Sequence, residues 1–378
     1  MYNKDEKINV RNTNIDSMKG ILIILVVLGH TYNKFCYGFI SLFHVGLFFV
    51  LSGYCFNQKY SESILTLWDL FKKRIKSLWV PYVAYNFIFL LLMNILIKIG
   101  FLTSSDTYFF YEPYLNDGYC SPITIYGAIK AFIKSLFFIN SRPFAGGLWF
   151  LGGLFYVTFL YAILQFILKK LKIEKFHIIF SIILLVLGWF IVKLGYIQKI
   201  PFLKQVSIIF VSEILFCIGS YVREYIIIPR IRILFYYVGF VLFFVVLCLL
   251  STFGTISIAS VNIKNPFFYL ASILSGGGFI ICLVKIIENM KMKKILRLFS
   301  YIGKNTIPIL ALHTLCFKIV TLIQIKYYNG DKILLALYPV WKNSFLWSFA
   351  YLLVGLLVPL LMATILSKSK FFKIVFKC

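Results

Sequence analysis

Apolar segments long enough to cross a membrane recur from one end of this chain to the other. The segment ILFYYVGFVLFFVVLCLL at residues 233–250, for example, contains no charged residue. A hydrocarbon core about 30 Å thick requires about 20 apolar residues per helix, and 61% of the 378 residues are hydrophobic. This composition excludes an ordinary soluble domain. We therefore expect an all-α polytopic membrane protein with about ten transmembrane helices, at residues 16–35, 38–56, 78–99, 148–168, 177–197, 205–223, 233–253, 266–287, 299–323 and 345–367.

The distribution of basic residues indicates the orientation of these helices. The chain has 39 Lys and Arg residues but 13 Asp and Glu residues, and most of the basic ones lie in the terminal segments and in every second connection. Because Lys and Arg accumulate in cytoplasmic loops, both termini are expected in the cytoplasm. Nucleic-acid binding would need this charge on one folded aqueous surface. Its dispersal over short loops predicts the lipid bilayer as a partner and no nucleic acid.

One domain accounts for the whole chain. We expect a single membrane domain at residues 1–378, without a soluble domain or a cleaved signal peptide, because the first apolar segment lacks a cleavage site of small residues. The longest connection is an outer loop at about residues 103–147. Within it, apolar residues recur with helical spacing around Lys130 and Lys134, which predicts an interfacial amphipathic helix. Aromatic and acidic residues earlier in the loop are typical of an interfacial belt, with sugar binding as the alternative.

Three of the four histidines fall at one depth in the predicted helices. With a rise of about 1.5 Å per residue, His30 lies about 21 Å from the inner edge of the first helix. His313 lies about 21 Å from the inner edge of the ninth helix, and His44 lies about 9 Å below the outer edge of the second. Ionisable rings within membrane helices mark functional sites. They predict a polar cavity in the outer half of the membrane.

Other polar residues are expected to line this cavity. Glu213 lies about 12 Å below the outer edge of the sixth helix, and Arg142 and Trp149 approach the same level from the outer loop. A neutral imidazole can remove a proton from a hydroxyl near neutral pH, and a carboxylate can hold its tautomer. The alternative for a single histidine is a structural hydrogen bond between helices. No metal is predicted, because no HxxxH or HExxH pairing exists, and His177 at an inner boundary is expected to be solvated.

A second polar group lies at the inner ends of the first and third predicted helices. Asp16 and Lys19 open the first helix, while Lys73, Arg74 and Lys76 precede the third. Basic residues at such positions anchor helices by the positive-inside rule. Several of them around one acid can also hold an anionic cytosolic ligand, since phosphates form charge-assisted hydrogen bonds with Lys and Arg.

Five sequence blocks, taken together and in order, resemble a known family. They are IDSMKGILIILVVLGH, FHVGLFFVLSGYCF, KKRIKSLWVPY, GLWFLGGLF and FSYIGKNTIPILALHTL, and they are spread along most of the chain, from residue 15 to residue 315. On these blocks the chain resembles the membrane-bound acyltransferase-3 family, in the branch of fucose 4-O-acetylases and other polysaccharide O-acetyltransferases. The resemblance implies transfer of an acyl group, usually from cytosolic acetyl-CoA, to a glycan hydroxyl at or beyond the outer face. Acetyl-CoA is then the donor substrate, and no bound cofactor is implied.

The resemblance also implies roles for individual residues. The family's essential histidine closes the first helix, which is the position of His30. Its acid at the start of that helix corresponds to Asp16. The basic residue three positions later is often Arg in the family and is Lys19 here, which keeps the charge but lacks the bidentate geometry of Arg.

The basic residues before the third helix match the family less completely. The family's Arg-x-x-Arg pattern is interrupted, because Ser77 follows Arg74 at that spacing. Lys73 and Lys76 supply the same spacing instead. Which basic residue contacts the donor therefore stays open.

Together these features predict a bacterial plasma-membrane O-acetyltransferase for a surface or lipid-linked glycan. Relatives often carry an extracellular SGNH hydrolase-like domain, so either the histidine base serves the acceptor directly or a separate envelope-biosynthesis partner completes the transfer. The alternatives are a transporter of a glycan or small solute and an acyltransferase for a longer or charged acyl group such as succinyl. The expected roles are general base for His30; orienting or cavity-lining for His44, His313, Glu213 and Asp16; acetyl-CoA binding for Lys19, Lys73, Arg74 and Lys76; and the acceptor side for Arg142 and Trp149.

Overall fold

A computed structural model describes residues 13–104, 120–139, 143–195, 201–225 and 232–377. These residues form α-helices and short 3-10 turns, with one isolated antiparallel bridge between Ser257 and Asn262. In chain order the helices are α1 (Thr13–Gly29), α2 (Lys34–Ser41), α3 (Gly46–Tyr54), α4 (Ile64–Arg74), α5 (Val80–Lys98), α6 (Ile125–Leu136), α7 (Trp149–Lys170), α8 (His177–Lys193), α9 (Pro201–Tyr225), α10 (Ile233–Phe253), α11 (Pro266–Asn289), α12 (Lys293–Lys304), α13 (Thr306–Tyr328), α14 (Phe345–Leu366) and α15 (Lys370–Val375).

The long helices have the length and composition of membrane spans. Within the described ranges, nine helices are long and apolar enough to cross a membrane. Helix α1 has 17 residues and is not among these nine. Helices α12 and α13 follow each other across a break at Asn305. The prediction of an all-α polytopic membrane protein is therefore confirmed.

The third predicted span begins earlier than expected. One helical stretch of 35 residues runs over Ile64–Lys98. It starts at a capping box formed by Ser63 and Thr66, which satisfies backbone N–H groups of the first turn. Between α4 and α5, residues Ile75–Trp79 form a π-helical turn directly after Arg74. Such turns are rare in helices and frequent at functional sites.

The helix ends define two sides of the bundle. We call the side on which α1 and α12 begin and α7 ends the basic end, and the other side the opposite end. At the basic end, Ser17 Oγ donates a hydrogen bond to Leu296 O at 3.0 Å, which joins α1 to α12. Lys169 Nζ, near the end of α7, lies 3.5 Å from Gln58 O in the turn that follows α3.

Glycine residues let two helix pairs cross in backbone contact. A Cβ atom added at Gly20 of α1 would lie 1.9 Å from Phe299 O of α12. A Cβ atom added at Gly53 of α3 would lie 1.9 Å from Phe216 O of α9. Small residues allow such close approach between membrane helices. The main apolar core packs around these two crossings.

Helix α6 lies along α5. At one end of α6, the side chain of Asn94 exchanges two hydrogen bonds with the backbone of Ile123, at 2.8 and 2.9 Å. At the other end, Trp79 Nε1 donates to Leu136 O at 2.8 Å. Asn94 and Trp79 are about 22 Å apart by helical rise, so α6 runs antiparallel along a membrane-spanning helix. The structure thus differs from the predicted interfacial helix in that α6 lies along α5; the buried residues of α6 are Ala131 and Ser135, whereas Ile125, Ile129 and Ile133 remain exposed.

Candidate active site

Three histidines from separate segments meet inside the bundle. His30 Nδ1 and His313 Nε2 are 2.6 Å apart, and the two rings stack with centroids 4.8 Å apart. His44 stands beside them, since a Cβ atom added at Gly29 would lie 3.8 Å from His44 Nε2. The structure therefore brings together the three histidines that helical rise placed at one depth.

Interruptions of the helices hold two of these rings. Helix α1 ends at Gly29, so His30 stands in the turn that follows it. A turn also separates α2 from α3 and contains His44, whose Nδ1 lies 2.7 Å from Ile40 O. His313, by contrast, is fully buried within α13. Non-helical backbone is tolerated at membrane depth where it is buried in protein or lines a cavity.

The hydrogen bonds determine which nitrogen of each ring carries the proton. His313 Nδ1 lies 2.9 Å from the carbonyl oxygen of Ile309, which can only accept, so this nitrogen is protonated. In a neutral imidazole the other nitrogen is then an acceptor, and His313 Nε2 accepts from the Nδ1–H of His30. The lone pair of His30 is therefore on Nε2. Among the described residues this atom has no hydrogen-bond partner.

His30 stands between two cavities. One has a volume of about 160 Å³ and includes polar side chains, and we call it the polar cavity. The other, of about 70 Å³, extends towards the basic end, and we call it the apolar cavity. Three side chains line both, namely His30, Val45 and Trp149. The polar cavity is further lined by Tyr32, Tyr37, Ser41, His44 and residues 256–259, and the apolar cavity by Ile23, Val26, Phe48, Gly147, Thr306 and Leu310.

Glu213 does not join the three histidines. Its Oε1 lies 3.0 Å from His177 Nε2, and His177 Nδ1 lies 2.5 Å from Gln165 Oε1. Glu213 therefore belongs to a separate cluster of α7, α8 and α9, and its predicted place in the cavity of His30 is wrong. Helical rise gives the depth of a residue but not the side of the helix. The expectation of a solvated His177 is also wrong, because α7 and α9 enclose it and leave 4% of it exposed.

Asp16 and Lys19 lie at the basic end, as expected from their place in α1. Asp16 is buried beside α12, where a Cβ atom added at Gly303 would lie 1.8 Å from Asp16 O. It is about 21 Å from His30 by helical rise. Asp16 therefore lines neither the polar nor the apolar cavity. Lys19 is half-buried.

The three basic residues before the third span differ in their surroundings. Lys73 Nζ donates to the Tyr60 hydroxyl at 3.1 Å. Lys76 is exposed in the π-helical turn. Arg74 is half-buried, and its Nε is buried without a hydrogen-bond partner among the described residues. A buried guanidinium donor without a partner is suited to binding an anion.

The structure describes one of the two residues that were predicted for the acceptor side. Trp149 opens α7 and lines both cavities, whereas Arg142 lies outside the described residues. The turn before Trp149 is tied to the helix of His313, because Thr314 Oγ1 donates to Phe144 O at 3.2 Å. Residues 256–259 of the polar cavity were not predicted, and their sequence carries no pattern that distinguishes them.

Lys318 was also missed by sequence reasoning. It is fully buried in α13, and its Nζ donates to Leu335 O at 2.7 Å and to Leu337 O at 2.6 Å. A lysine within an apolar span is itself a signal of a buried polar role. Lys318 holds the connection between α13 and α14 against the helix that carries His313.

A comparison with known protein families gives a match that includes almost all of these helices and turns. The family model described as an acyltransferase domain matches residues 12–364. No curated protein and no solved structure matches the chain. The matched region includes the three histidines, both cavities and the basic residues before the third span. The chain therefore belongs to the membrane-bound acyltransferase-3 family, and the protein is a multi-pass membrane acyltransferase.

Proposed function

We propose that this acyltransferase moves an acetyl group from cytosolic acetyl-CoA to a hydroxyl of a surface or lipid-linked glycan, with His30 as the general base. The observation that carries the proposal is the position of the His30 ring, which lines both cavities and bears its lone pair on Nε2. A hydroxyl in the polar cavity and a thioester in the apolar cavity can therefore meet at one base.

The proposed reaction balances without a further reactant. His30 Nε2 removes the proton of the glycan hydroxyl while the hydroxyl oxygen attacks the thioester carbonyl carbon. When the carbon–sulfur bond breaks, the protonated His30 gives this proton to the thiolate of coenzyme A. His313 accepts the hydrogen bond from His30 Nδ1–H, which orients the ring and keeps its lone pair on Nε2. Direct transfer of this kind requires neither an acyl-enzyme nor a bound cofactor.

The apolar cavity favours a short, uncharged acyl group. Its volume of about 70 Å³ is well below the roughly 150 Å³ of an engineered protein cavity that holds benzene. No Lys or Arg is found among the described residues that line it, so the carboxylate of a succinyl group would meet no countercharge from them. An acetyl methyl group would instead contact side chains such as Val26 and Phe48.

The basic end is proposed to face the cytoplasm, with both termini on that side, in a bacterial plasma membrane. The bias of Lys and Arg towards this end supports the orientation. Acetyl-CoA then approaches from the basic end, where Lys19, Lys73, Arg74 and Lys76 are available to its phosphates. The apolar cavity extends in this direction, since Ile23 lies about 10 Å below His30 along α1.

The polar cavity is proposed to receive the glycan. Hydroxyl groups of Ser41, Tyr37 and Ser257 offer hydrogen bonds, and the indole of Trp149 offers an apolar face for a sugar ring. Nδ1 of His44 is directed at Ile40 O, so its Nε2 can accept a hydrogen bond from a hydroxyl of the glycan. Arg142 keeps its proposed place on this side. A substrate like that of fucose 4-O-acetylases, and a partner from envelope biosynthesis, fit this arrangement.

The proposal is tested with purified protein in lipid vesicles, supplied with labelled acetyl-CoA and a glycan acceptor. Transfer of label and release of free thiol should both require the acceptor. His30→Ala should lower turnover at least about a hundredfold, as expected for loss of a general base, while the protein still accumulates in the membrane. Cys316→Ala is the matched control, because Cys316 is buried in α13 but lines neither cavity.

Three outcomes would contradict the proposal. Movement of glycan across the vesicle without thioester cleavage would indicate a transporter. Faster reaction with succinyl-CoA than with acetyl-CoA would contradict the assignment of the apolar cavity to an acetyl group. Near-normal turnover of His30→Ala would show that another group is the base.

A further inference from the structure

The turn that carries His30 is held by polar side chains from the far end of the chain. Helix α1 ends at Gly29 and α2 begins at Lys34, so one helix gives way to the next within residues 30–33. Within this turn Tyr32 has a φ of 49°, a left-handed conformation that residues other than glycine seldom adopt. Such backbone persists where the surrounding contacts determine it. The contacts of this turn therefore bear on the direction of the His30 ring.

Two asparagines tie the turn to the start of α14. Asn343 Nδ2 donates to Tyr32 O at 2.9 Å, two residues after His30. In return, Asn33 Nδ2 donates to Asn343 O and to Ser348 Oγ, both at 3.0 Å. Ser348 Oγ itself donates to Asn343 O at 3.0 Å. Asn33 and Ser348 are 3% and 2% exposed, so these hydrogen bonds are shielded from competing water.

The same segment is fixed to the helix that carries His313. Asn343 lies near the end of the connection between α13 and α14. One residue earlier, Lys342 O accepts from Gln324 Nε2 of α13 at 2.9 Å, and Lys342 N donates to Gln324 Oε1 at 3.3 Å. Lys318 of α13 holds the middle of this connection through two carbonyl oxygens. The connection therefore links α13 to the turn between α1 and α2.

This link matters because the two histidines of the pair stand on different segments. His313 lies within α13, whereas His30 lies in a turn. The distance between His30 Nδ1 and His313 Nε2 is 2.6 Å. A displacement of the turn by about 1 Å would lengthen it to roughly 3.6 Å, at which no hydrogen bond remains. The pair therefore forms only when the turn and α13 are held in fixed relation.

We propose that Asn343 and Asn33 are positioning residues for His30, an inference that rests on the proposed function of His30 as the base. Neither asparagine lines the polar or the apolar cavity. They act through the backbone of the turn. Their hydrogen bonds keep the His30 ring on His313, which keeps the proton on Nδ1 and the lone pair on Nε2.

The alternative is that these hydrogen bonds only stabilise this end of the bundle. Removing one of them would then lower the unfolding temperature and the amount of protein. The kcat of the folded protein and the tautomer of His30 would stay the same. Kinetics and the tautomer therefore distinguish a positioning role from a structural one.

The kinetic experiment compares substitutions of Asn343, which is half-buried. In purified full chain in lipid vesicles, Asn343→Ala should lower kcat about tenfold without changing the KM for acetyl-CoA. Asn343→Gln keeps an amide donor and should recover most of the lost activity. The matched control is Asn94→Ala, because the Asn94 amide also donates to a backbone carbonyl at 2.9 Å but holds α6. Its kcat should not change.

Nitrogen-15 NMR of the His30 ring gives a readout that needs no substrate. In the unchanged protein the neutral ring should carry its proton on Nδ1. In Asn343→Ala and in Asn33→Ala the form protonated on Nε2 should also be seen, because His313 no longer excludes it. If Asn33→Ala does not fold, Asn343→Ala still decides the outcome.

An unchanged kcat and an unchanged tautomer in Asn343→Ala would overturn the proposal, even if the unfolding temperature falls. An equal loss of kcat in Asn94→Ala would overturn it as well. Near-normal turnover of His30→Ala would instead contradict the assignment of the base and leave the tautomer result as it is. The failure of this inference is therefore distinguishable from the failure of the proposed function.

Discussion

His30 and His177 both lie among membrane-spanning helices, but their ring nitrogens face different atoms. His30 donates from Nδ1 to His313, and its Nε2, beside two cavities, has no hydrogen-bond partner among the residues that the structure describes. His177 meets an acceptor at each nitrogen, one of which is the carboxylate of Glu213. The chemical nature of the partner, rather than depth in the membrane, thus decides whether a buried histidine can act as a base.

The two clusters also differ in what the loss of one member costs. The His30–His313 pair is neutral, and a hydrogen bond between neutral groups contributes about 1 kcal/mol to the free energy of unfolding. Removing one member of the buried His177–Glu213 contact leaves the other polar group buried without its partner and costs about 1–3 kcal/mol. Substitutions in the first cluster should therefore mainly lower activity, and substitutions in the second should mainly lower stability.

The largest expected effects come from the same substitution made in both clusters. His30→Gln removes the base but retains a hydrogen-bonding side chain, so turnover should fall at least about a hundredfold with little change in unfolding temperature. His177→Gln should instead lower the free energy of unfolding by about 1–3 kcal/mol, because it disturbs the buried contact with Glu213. Acetyl transfer and thermal unfolding are measured on both purified variants. Loss of activity without loss of stability in His177→Gln would break the comparison.

A smaller effect is expected at the orienting position. His313→Asn removes the acceptor that holds the proton of His30 on Nδ1. The kcat should fall about tenfold while the KM for acetyl-CoA stays the same, because the base is still present but is held less well. Steady-state kinetics with varied acetyl-CoA check this. A rise in KM with unchanged kcat would show that His313 contacts the donor instead.

The next effect concerns donor binding at Arg74, which is half-buried and whose buried Nε has no hydrogen-bond partner among the described residues. If its free donor binds a donor phosphate, Arg74→Gln should raise the KM for acetyl-CoA about tenfold, the loss expected for one charge-assisted hydrogen bond. Higher salt should weaken donor binding in the unchanged protein more than in the variant. The exposed Lys76 serves as control through Lys76→Gln. A change limited to the amount of protein would indicate an anchoring role.

Counting helical rise was sufficient for the level of His30 and His313. His30 directly follows α1, which begins at the same side of the bundle as α12 and crosses it at Gly20, and α13 with His313 follows α12 after one residue. The same count failed for Glu213, since a position along a helix axis does not specify which neighbour the side chain faces. Only the packing of α7 and α8 against α9 shows that this carboxylate faces His177.

The amphipathic pattern of α6 shows a second limit of sequence reasoning. Apolar residues with helical spacing suit a helix on a membrane surface and a helix packed along another helix equally well. The side chains that decide between them are Asn94 of α5 and Trp79, which directly precedes α5, and both are far from α6 in sequence. The π-helical turn after Arg74 likewise leaves no pattern in the sequence.

The most direct test of the account is nitrogen-15 NMR of the histidine side chains. The chain contains four histidines, so the signals can be assigned by single substitutions. The account predicts that at neutral pH His30 and His313 are neutral with the proton on Nδ1. A proton on Nε2 of His30, or a doubly protonated His30, would contradict the assignment of this atom as the base.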